Sequence, residues 1–257
     1  MIITIDVGNT NIVFGFFENH SLKETLRLAT DSGRTSDEYR LIISQFINEE
    51  KLNKDIEAFS ISSVVPPLVP VFRAVSRKMC KKDPLIVSSE LPIDIKFDVD
   101  APKLVGADRI CNIFEGSKTF PNENVIVVDF GTATTFSVIT KDRRFIGGPI
   151  TIGILPASIE LFRRTAQLPR IELKQPKSFI GKNTVEEMQS GIINGFGGMV
   201  DRMVELIETE LNEPAVVIAT GGISHLMQGI SKRINIYDQM LTTKGLFSIY
   251  EFVTNNL

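Results

Sequence analysis

Apolar residues along this chain recur at two different periods, and the switches between them mark out its elements. Ile2 to Asp6 is a β-branched run that stops at Val7-Gly8-Asn9-Thr10. A second apolar stretch, Ile12 to Phe17, then enters the polar turn Glu18 to Ser21, which is the pattern of a hairpin. Leu22 to Leu28 alternates apolar and polar positions and predicts a third, half-exposed strand. Thr35 followed by Glu38 fits a capping box, and Tyr39, Ile42, Ile43, Phe46 and Ile47 recur at helical spacing behind it. Ile56 to Val65 predicts a buried strand ended by Pro66-Pro67, Val69 to Cys80 a helix, and Leu85 to Val87 another strand. After the loop around Pro92 to Pro102, Asp108 to Lys118 is amphipathic through Ile110, Ile113 and Phe114. Pro121-Asn122-Glu123-Asn124 breaks the chain there, which sets the expected domains at 1–120 and 121–257.

Beyond the break the pattern starts again. Val128-Asp129-Phe130-Gly131-Thr132 repeats Ile5-Asp6-Val7-Gly8-Asn9, and a β-rich segment follows each copy. Thr135 to Thr140 and Phe145 to Ile150 predict further strands, Ala157 to Ala166 a helix, and Val185 to Leu211 a long helix interrupted by glycines. A buried strand over Ala215 to Ala219 and a helix from about Thr243 to Val253 complete the series. Strands and helices alternating in two similar halves imply an α/β protein of two related lobes, each a mixed sheet with helices, with a cleft between them.

Composition narrows the chemistry more than the fold. The 257 residues carry 28 Lys and Arg against 31 Asp and Glu, a net charge of −3, with no basic footprint for nucleic acid. The cluster Arg73, Arg77, Lys78, Lys81 and Lys82 reads as a basic helix end. Two cysteines, Cys80 and Cys111, and two histidines, His20 and His225, are too few and too scattered for a zinc site or a histidine-based triad. The first residues lack a signal-peptide pattern, and no apolar run approaches the roughly 20 residues of a membrane span. The expectation is a cytoplasmic protein with reduced thiols and neither nucleic-acid nor membrane partners.

The glycine turns are where the remaining chemistry concentrates. In each copy a carboxylate, Asp6 or Asp129, closes a strand. Gly8-Asn9-Thr10 and Gly131-Thr132-Ala133-Thr134-Thr135 then offer backbone N–H groups and hydroxyls among small side chains. Such turns cradle phosphates, and a carboxylate beside a phosphate calls for a bound cation between them. The same residues also suit plain Asx-type turns that bind nothing. Neither a P-loop nor a strand-linked G-x-G-x-x-G is present. A third turn, Thr220-Gly221-Gly222-Ile223-Ser224, is expected to open a helix whose N–H groups could face a nucleotide. Gly106-Ala107-Asp108-Arg109 reads two ways: Asp108 as a helix N-cap, or as an acid–base group beside an anion-holding Arg109.

Taken in order, Asp6 to Asn11, Ser62 to Pro66, Gly106 to Arg109, Val128 to Thr135, Gly147 to Gly153 and Thr220 to Gly222 resemble type III pantothenate kinases. The resemblance extends through Thr242 to Leu246 and so covers nearly the whole chain. It implies the actin-like ATPase fold of the acetate and sugar kinase, Hsp70 and actin superfamily, duplicated around a nucleotide cleft. It also implies ATP-dependent phosphorylation of the 4′-hydroxyl of pantothenate, the first step toward coenzyme A. Carried onto this sequence, Asp6, Val7, Gly8, Asn9, Thr10, Asn11, Ile12 and Val13 would form the first phosphate loop, with Asp6 positioning Mg²⁺, directly or through water. Gly131 and Thr132, with Gly221 and Gly222, would contact ATP. Asp129 would bind a monovalent cation, K⁺ or NH₄⁺. Gly106, Ala107, Asp108 and Arg109 would bind pantothenate with Asp108 as proton acceptor, and Thr184 would also contact substrate. The family carries a tyrosine where this chain has Val99, so one hydroxyl contact is missing. Family members are typically homodimers. The alternative is a non-catalytic regulatory relative of the same fold.

Overall fold

The computed structural model describes residues 1–256. The first half runs β1 (Ile2–Val7), β2 (Asn11–Glu18), β3 (Ser21–Ala29), α1 (Ser36–Glu49), β4 (Ala58–Ser63), α2 (Leu68–Cys80), β5 (Leu85–Ile86), β6 (Lys96–Phe97), a 3₁₀ turn (Pro102–Leu104) and α3 (Ala107–Thr119). The second runs β7 (Val125–Phe130), β8 (Ala133–Ile139), β9 (Arg144–Gly147), β10 (Ile150–Ile152), α4 (Ile154–Arg164), α5 (Thr184–Leu211), β11 (Val216–Thr220), a 3₁₀ turn (Ser224–Met227), β12 (Ile236–Tyr237) and α6 (Leu241–Asn255).

The repeat seen in the sequence is a repeat of topology. One sheet has the order β3-β2-β1-β4-β5. The other has β9-β8-β7-β11-β12, extended past β9 by β6 and with β10 paired to β8. In each, an antiparallel hairpin, β1–β2 or β7–β8, lies beside a parallel strand, β4 or β11. Mixed sheets of this kind need a helical crossover to bring in the parallel strand; α1 follows the first hairpin, and α4 and α5 the second.

Two compact units result. One contains Met1–Ile95, Asp100–Glu115 and the residues from Leu241 onward, the other Lys96–Val99 and Gly116–Met240. The units are thus interleaved along the chain: α3 runs from one into the other, and α6 belongs with strands made more than two hundred residues earlier.

Within the first unit, period-two alternation sorts the sheet into two faces. Ile3, Ile5 and Val7 of β1, Phe14 and Phe16 of β2 and Phe59 and Ile61 of β4 bury against Tyr39 and Ile43 of α1 and Phe72 and Val75 of α2. The opposite face carries Thr4, Asp6, Ser60 and Ser62 and is covered by α6, where the Ser60 hydroxyl donates to the Leu246 carbonyl at 3.1 Å. In the second unit Val128, Phe130, Phe136, Val138, Val217 and Ala219 face the long helix α5 through Ile193, Val200 and Val204.

Several elements differ from the sequence reading for local reasons. The single strand expected over Phe145 to Ile150 is two, because Gly147 and Gly148 adopt φ of 95° and 137° and Pro149 follows. Helix α4 begins at Ile154, earlier than Ala157, because extended Gly153 caps it and Pro156 is tolerated in a first turn. The α-helix expected after Gly222 is only the 3₁₀ turn Ser224–Met227, and Gly229 at φ 76° then diverts the chain. The capping box at Thr35 is present, with Glu38 N–H donating to Thr35 Oγ1 and Thr35 N–H to the Glu38 carboxylate. Among the described residues no helix is long and apolar enough to cross a membrane.

Candidate active site

Strand β1 delivers Asp6 to the end of the first sheet, in register with Ser62 on β4 and Val13 on β2. The turn that follows closes by the Gly8 N–H donating to the Asn11 carbonyl at 3.0 Å. Residue Thr30, just past β3, braces it: its hydroxyl donates to the Gly8 carbonyl at 2.6 Å and its N–H to the Thr10 carbonyl at 3.0 Å. Asn9 and Thr10 are exposed at its tip. Val7 and Ile12 belong to the core, so only their main-chain groups face outward from it.

Helix α3 brings the second carboxylate of this unit. The Ile110 N–H donates to the Gly106 carbonyl at 3.1 Å, which makes Gly106 the residue before the helix and places Asp108 inside its first turn. Asp108 is therefore not the N-cap. Its carboxylate accepts the Arg109 N–H at 2.8 Å, and a Cβ on Gly106 would collide with it. Burial pushes the Asp108 carboxyl above the usual carboxylate range, against backbone N–H groups and the Arg109 charge, which favour ionisation. Burial likewise lowers Arg109, while Asp108 supports its charge. One turn further on, the fully buried Cys111 thiol is pushed well up, first by burial, then by the Asp6 and Asp108 carboxylates. Burial and both carboxylates thus disfavour a thiolate at Cys111.

The second unit repeats the arrangement with tighter packing. Asp129 ends β7 in register with Thr135 on β8 and Thr220 on β11. The Gly131 N–H donates to the Ala133 carbonyl at 3.0 Å, a turn one residue shorter than its counterpart. Gly153 lies against this turn and donates its N–H to the Thr132 carbonyl at 3.1 Å, leaving no room for a Cβ. Gly221 adopts φ 92°, and a Cβ there would lie 2.6 Å from both Asp129 Oδ1 and the Phe130 carbonyl. That glycine is required twice over, by conformation and by the close approach of the carboxylate.

Three buried hydroxyls, Ser62, Thr134 and Thr220, have no hydrogen-bond partner among the described residues. Each is at most 1% exposed. An orphaned buried polar group costs about 1–3 kcal/mol, so an orphan beside a carboxylate points to a ligand atom. Ser62 and Thr220 are the register partners of Asp6 and Asp129, whereas Thr134 pairs with Phe130 on the other face. The neighbouring Cys111 thiol is a weak donor and leaves the Ser62 oxygen largely unspent. A carboxylate with hydroxyl oxygens suits a hard cation, and Mg²⁺ is commonly held by one or two carboxylates plus phosphate oxygens. Among the described residues no group of three or more His, Cys, Asp and Glu side chains is placed to hold a metal ion.

The remaining expected site residues lie on other elements. Val99 packs on Gly147, with its Cγ1 3.6 Å from where a Cβ there would be. Thr184 is exposed at the first position of α5, whose cap is Asn183 accepting the Glu186 N–H at 3.0 Å. Gly222 is exposed after the third turn. His20 is exposed and paired with Glu251, and exposed His225 lies 3.4 Å from Gln239 Nε2. The sequence places Ser62, Gly153 and Thr220 within motifs but gives no role to the Ser62 and Thr220 hydroxyls, to Cys111 or to the close packing of Gly153. The available signal was a polar residue at the end of a buried strand, repeated in both halves.

A family model described as type III pantothenate kinase matches residues 2–206. Solved structures share the fold across nearly the full chain. A protein from Campylobacter jejuni described as a conserved Baf family transcriptional activator superposes with a TM-score of 0.60 at 18% identity, covering 99% of this chain and 100% of that one. The activator of 2-hydroxyisocaproyl-CoA dehydratase from Clostridium difficile, solved with bound ADPNP, gives 0.55 at 11% identity, covering 99% and 96%. A ROK family glucokinase from Streptomyces griseus, in complex with glucose and AMPPNP, gives 0.52 at 12% identity, covering 99% of each chain. The fold is that of actin-like ATPases and ROK-type kinases.

Proposed function

This chain belongs to the type III pantothenate kinase family and is a phosphotransferase, and from that premise we propose that it phosphorylates the 4′-hydroxyl of pantothenate with ATP, opening the route to coenzyme A. The observation that carries this reading is the carboxyl of Asp108. It sits in the first turn of α3, its affinity for a proton is raised by burial, and Arg109 is beside it. A raised carboxyl is a better acceptor for a hydroxyl proton at neutral pH. Arg109 provides the charge to hold the carboxylate of pantothenate.

The Gly8 and Gly131 N–H groups close their own turns, so each turn offers phosphate its exposed tip, Asn9 and Thr10 in the first and Thr132 in the second. Asp6 holds Mg²⁺, directly or through water, Asp129 holds K⁺ or NH₄⁺, and Thr184 contacts substrate. When bound, these cations neutralise charge on the transferring phosphoryl group, where catalysis is mostly positioning and electrostatics. The active form is a cytoplasmic homodimer. Exposed Ile150 and Ile152 on β10 and Leu155 and Phe162 on α4 provide an apolar surface that a second copy would cover.

An ATP-consumption assay with pantothenate, with and without potassium, tests the reading. Turnover that requires pantothenate and rises with potassium is expected. Folded protein with no turnover under either condition rejects it in favour of a non-catalytic regulator. Turnover indifferent to monovalent cations rejects only the role of Asp129.

A further inference from the structure

We propose that the Ser62 and Thr220 hydroxyls are cation-site oxygens, one per repeat, Thr220 acting with Asp129 on the monovalent ion and Ser62 with Asp6 on the hydrated divalent ion. This rests on the kinase reading and goes beyond it, because neither hydroxyl has a place in the phosphate loops or the substrate motif. Three observations carry it. Each hydroxyl is essentially inaccessible, and among the described residues Thr220 has no hydrogen-bond partner and Ser62 has only the weak thiol of Cys111 beside it. Each is the parallel register partner of the aspartate that ends the central strand, Ser62 of Asp6 and Thr220 of Asp129, so hydroxyl and carboxylate share one face of the sheet. The two positions are equivalent under the repeat, since β4 stands to β1 as β11 stands to β7.

A packing role does not account for the pattern. Valine or alanine would fill either position without burying an unsatisfied oxygen, and Thr220 ends a strand whose other residues, Val216 to Ala219, are all apolar. An oxygen kept at both positions, with lone pairs unspent, is what a cation or its hydration shell uses. Around Thr220, Gly221 brings Asp129 Oδ1 within 2.6 Å of where a Cβ would be, so the carboxylate is held close to the strand end that bears the hydroxyl. Thr134 provides an internal contrast: it is equally buried and equally orphaned, but it pairs with Phe130 and faces away from Asp129.

The test is a crossed pair of variants, Thr220→Val and Ser62→Ala, in the full-length protein. Monovalent binding is read by ²⁰⁵Tl⁺ NMR and by the potassium-induced rise in unfolding midpoint at constant ionic strength. Divalent binding is read by Mn²⁺ electron paramagnetic resonance with a non-hydrolysable ATP analogue. Thr220→Val should raise the half-saturating monovalent concentration about ten- to a hundredfold, the usual effect of removing a supporting group at a metal site, and leave Mn²⁺ unchanged. Ser62→Ala should do the reverse. Thr220→Ser should restore binding, Thr134→Val should leave both ions unaffected, and none of these variants should lower the ion-free unfolding midpoint. Variants that titrate like wild type with both ions overturn the assignment while leaving the kinase reading intact. Loss of both ions in every variant, with a lowered midpoint, overturns it as a structural effect. Wild-type protein that ignores monovalent cations overturns the role of Asp129 and this assignment of Thr220 together.

Discussion

The turn after β1 and the turn after β7 descend from one pattern, and their differences separate what the repeat shares from what each unit adds. Both place an aspartate at a strand end beside a buried hydroxyl on the parallel neighbour. The first turn is longer, open at Asn9 and Thr10, and braced by the Thr30 hydroxyl. The second is shorter and pressed by Gly153 and Gly221. The first unit also carries Asp108 and Arg109 on α3. Duplication thus preserved the pairing of carboxylate and hydroxyl, while the proton-handling group belongs to one unit and the closest main-chain packing to the other.

The largest test of that asymmetry is Asp108→Asn. Loss of a positioned general base is expected to reduce turnover by about 10²- to 10⁴-fold with the fold intact by circular dichroism; near-normal turnover would remove the distinction between the units. Next comes Gly221→Ala against Gly8→Ala. Alanine at φ 92° and 2.6 Å from two oxygens should cost about 1–3 kcal/mol in urea unfolding. Gly8 is not in the left-handed region and meets only the Asn11 carbonyl, at 3.0 Å, so its loss should be smaller. Equal losses would mean that the two turns are equally crowded.

A subtler test uses pH. Because burial raises the Asp108 carboxyl above its unfolded value, the native state binds more protons than the unfolded state between those two values. Stability from this group therefore falls as pH rises through that window. Asp108→Asn should unfold at a higher temperature than wild type at pH 7, and the gain should shrink as pH drops through the native and toward the unfolded carboxyl range. A gain unchanged at acid pH would assign it to packing. The smallest effects are expected at the helix caps, Thr35→Ala on α1 and Asn183→Ala on α5, where each should cost about 1 kcal/mol. A far larger loss in one unit would reveal unequal stability of the two.

Much of this architecture is legible in the sequence because its signals are local. The repeat shows in Asp6-Val7-Gly8 and Asp129-Phe130-Gly131, and the start of α1 shows in Thr35 and Glu38. What is not legible depends on register between distant strands. Ser62 and Thr220 read as ordinary strand residues until pairing sets them beside Asp6 and Asp129. Strands β6 and β12, two residues each, carry no periodicity at all. The place of Asp108 inside α3 depends on which carbonyl accepts the Ile110 N–H, a choice that Gly106-Ala107-Asp108 leaves open.

Helix α6 has a consequence for how the protein is made. It covers the polar face of β1 and β4, with the Thr242 hydroxyl bonded to Asn112, that of Ser248 to Glu115, and Gly245 pressed on the Cys111 carbonyl. These contacts join residues at least 130 positions apart, and closing so long a loop comes late in folding. Every segment of the second unit leaves the ribosome before residue 241 does. On the nascent chain the later-encoded unit should become protease-resistant first, while the strand that was synthesised first waits for its cover.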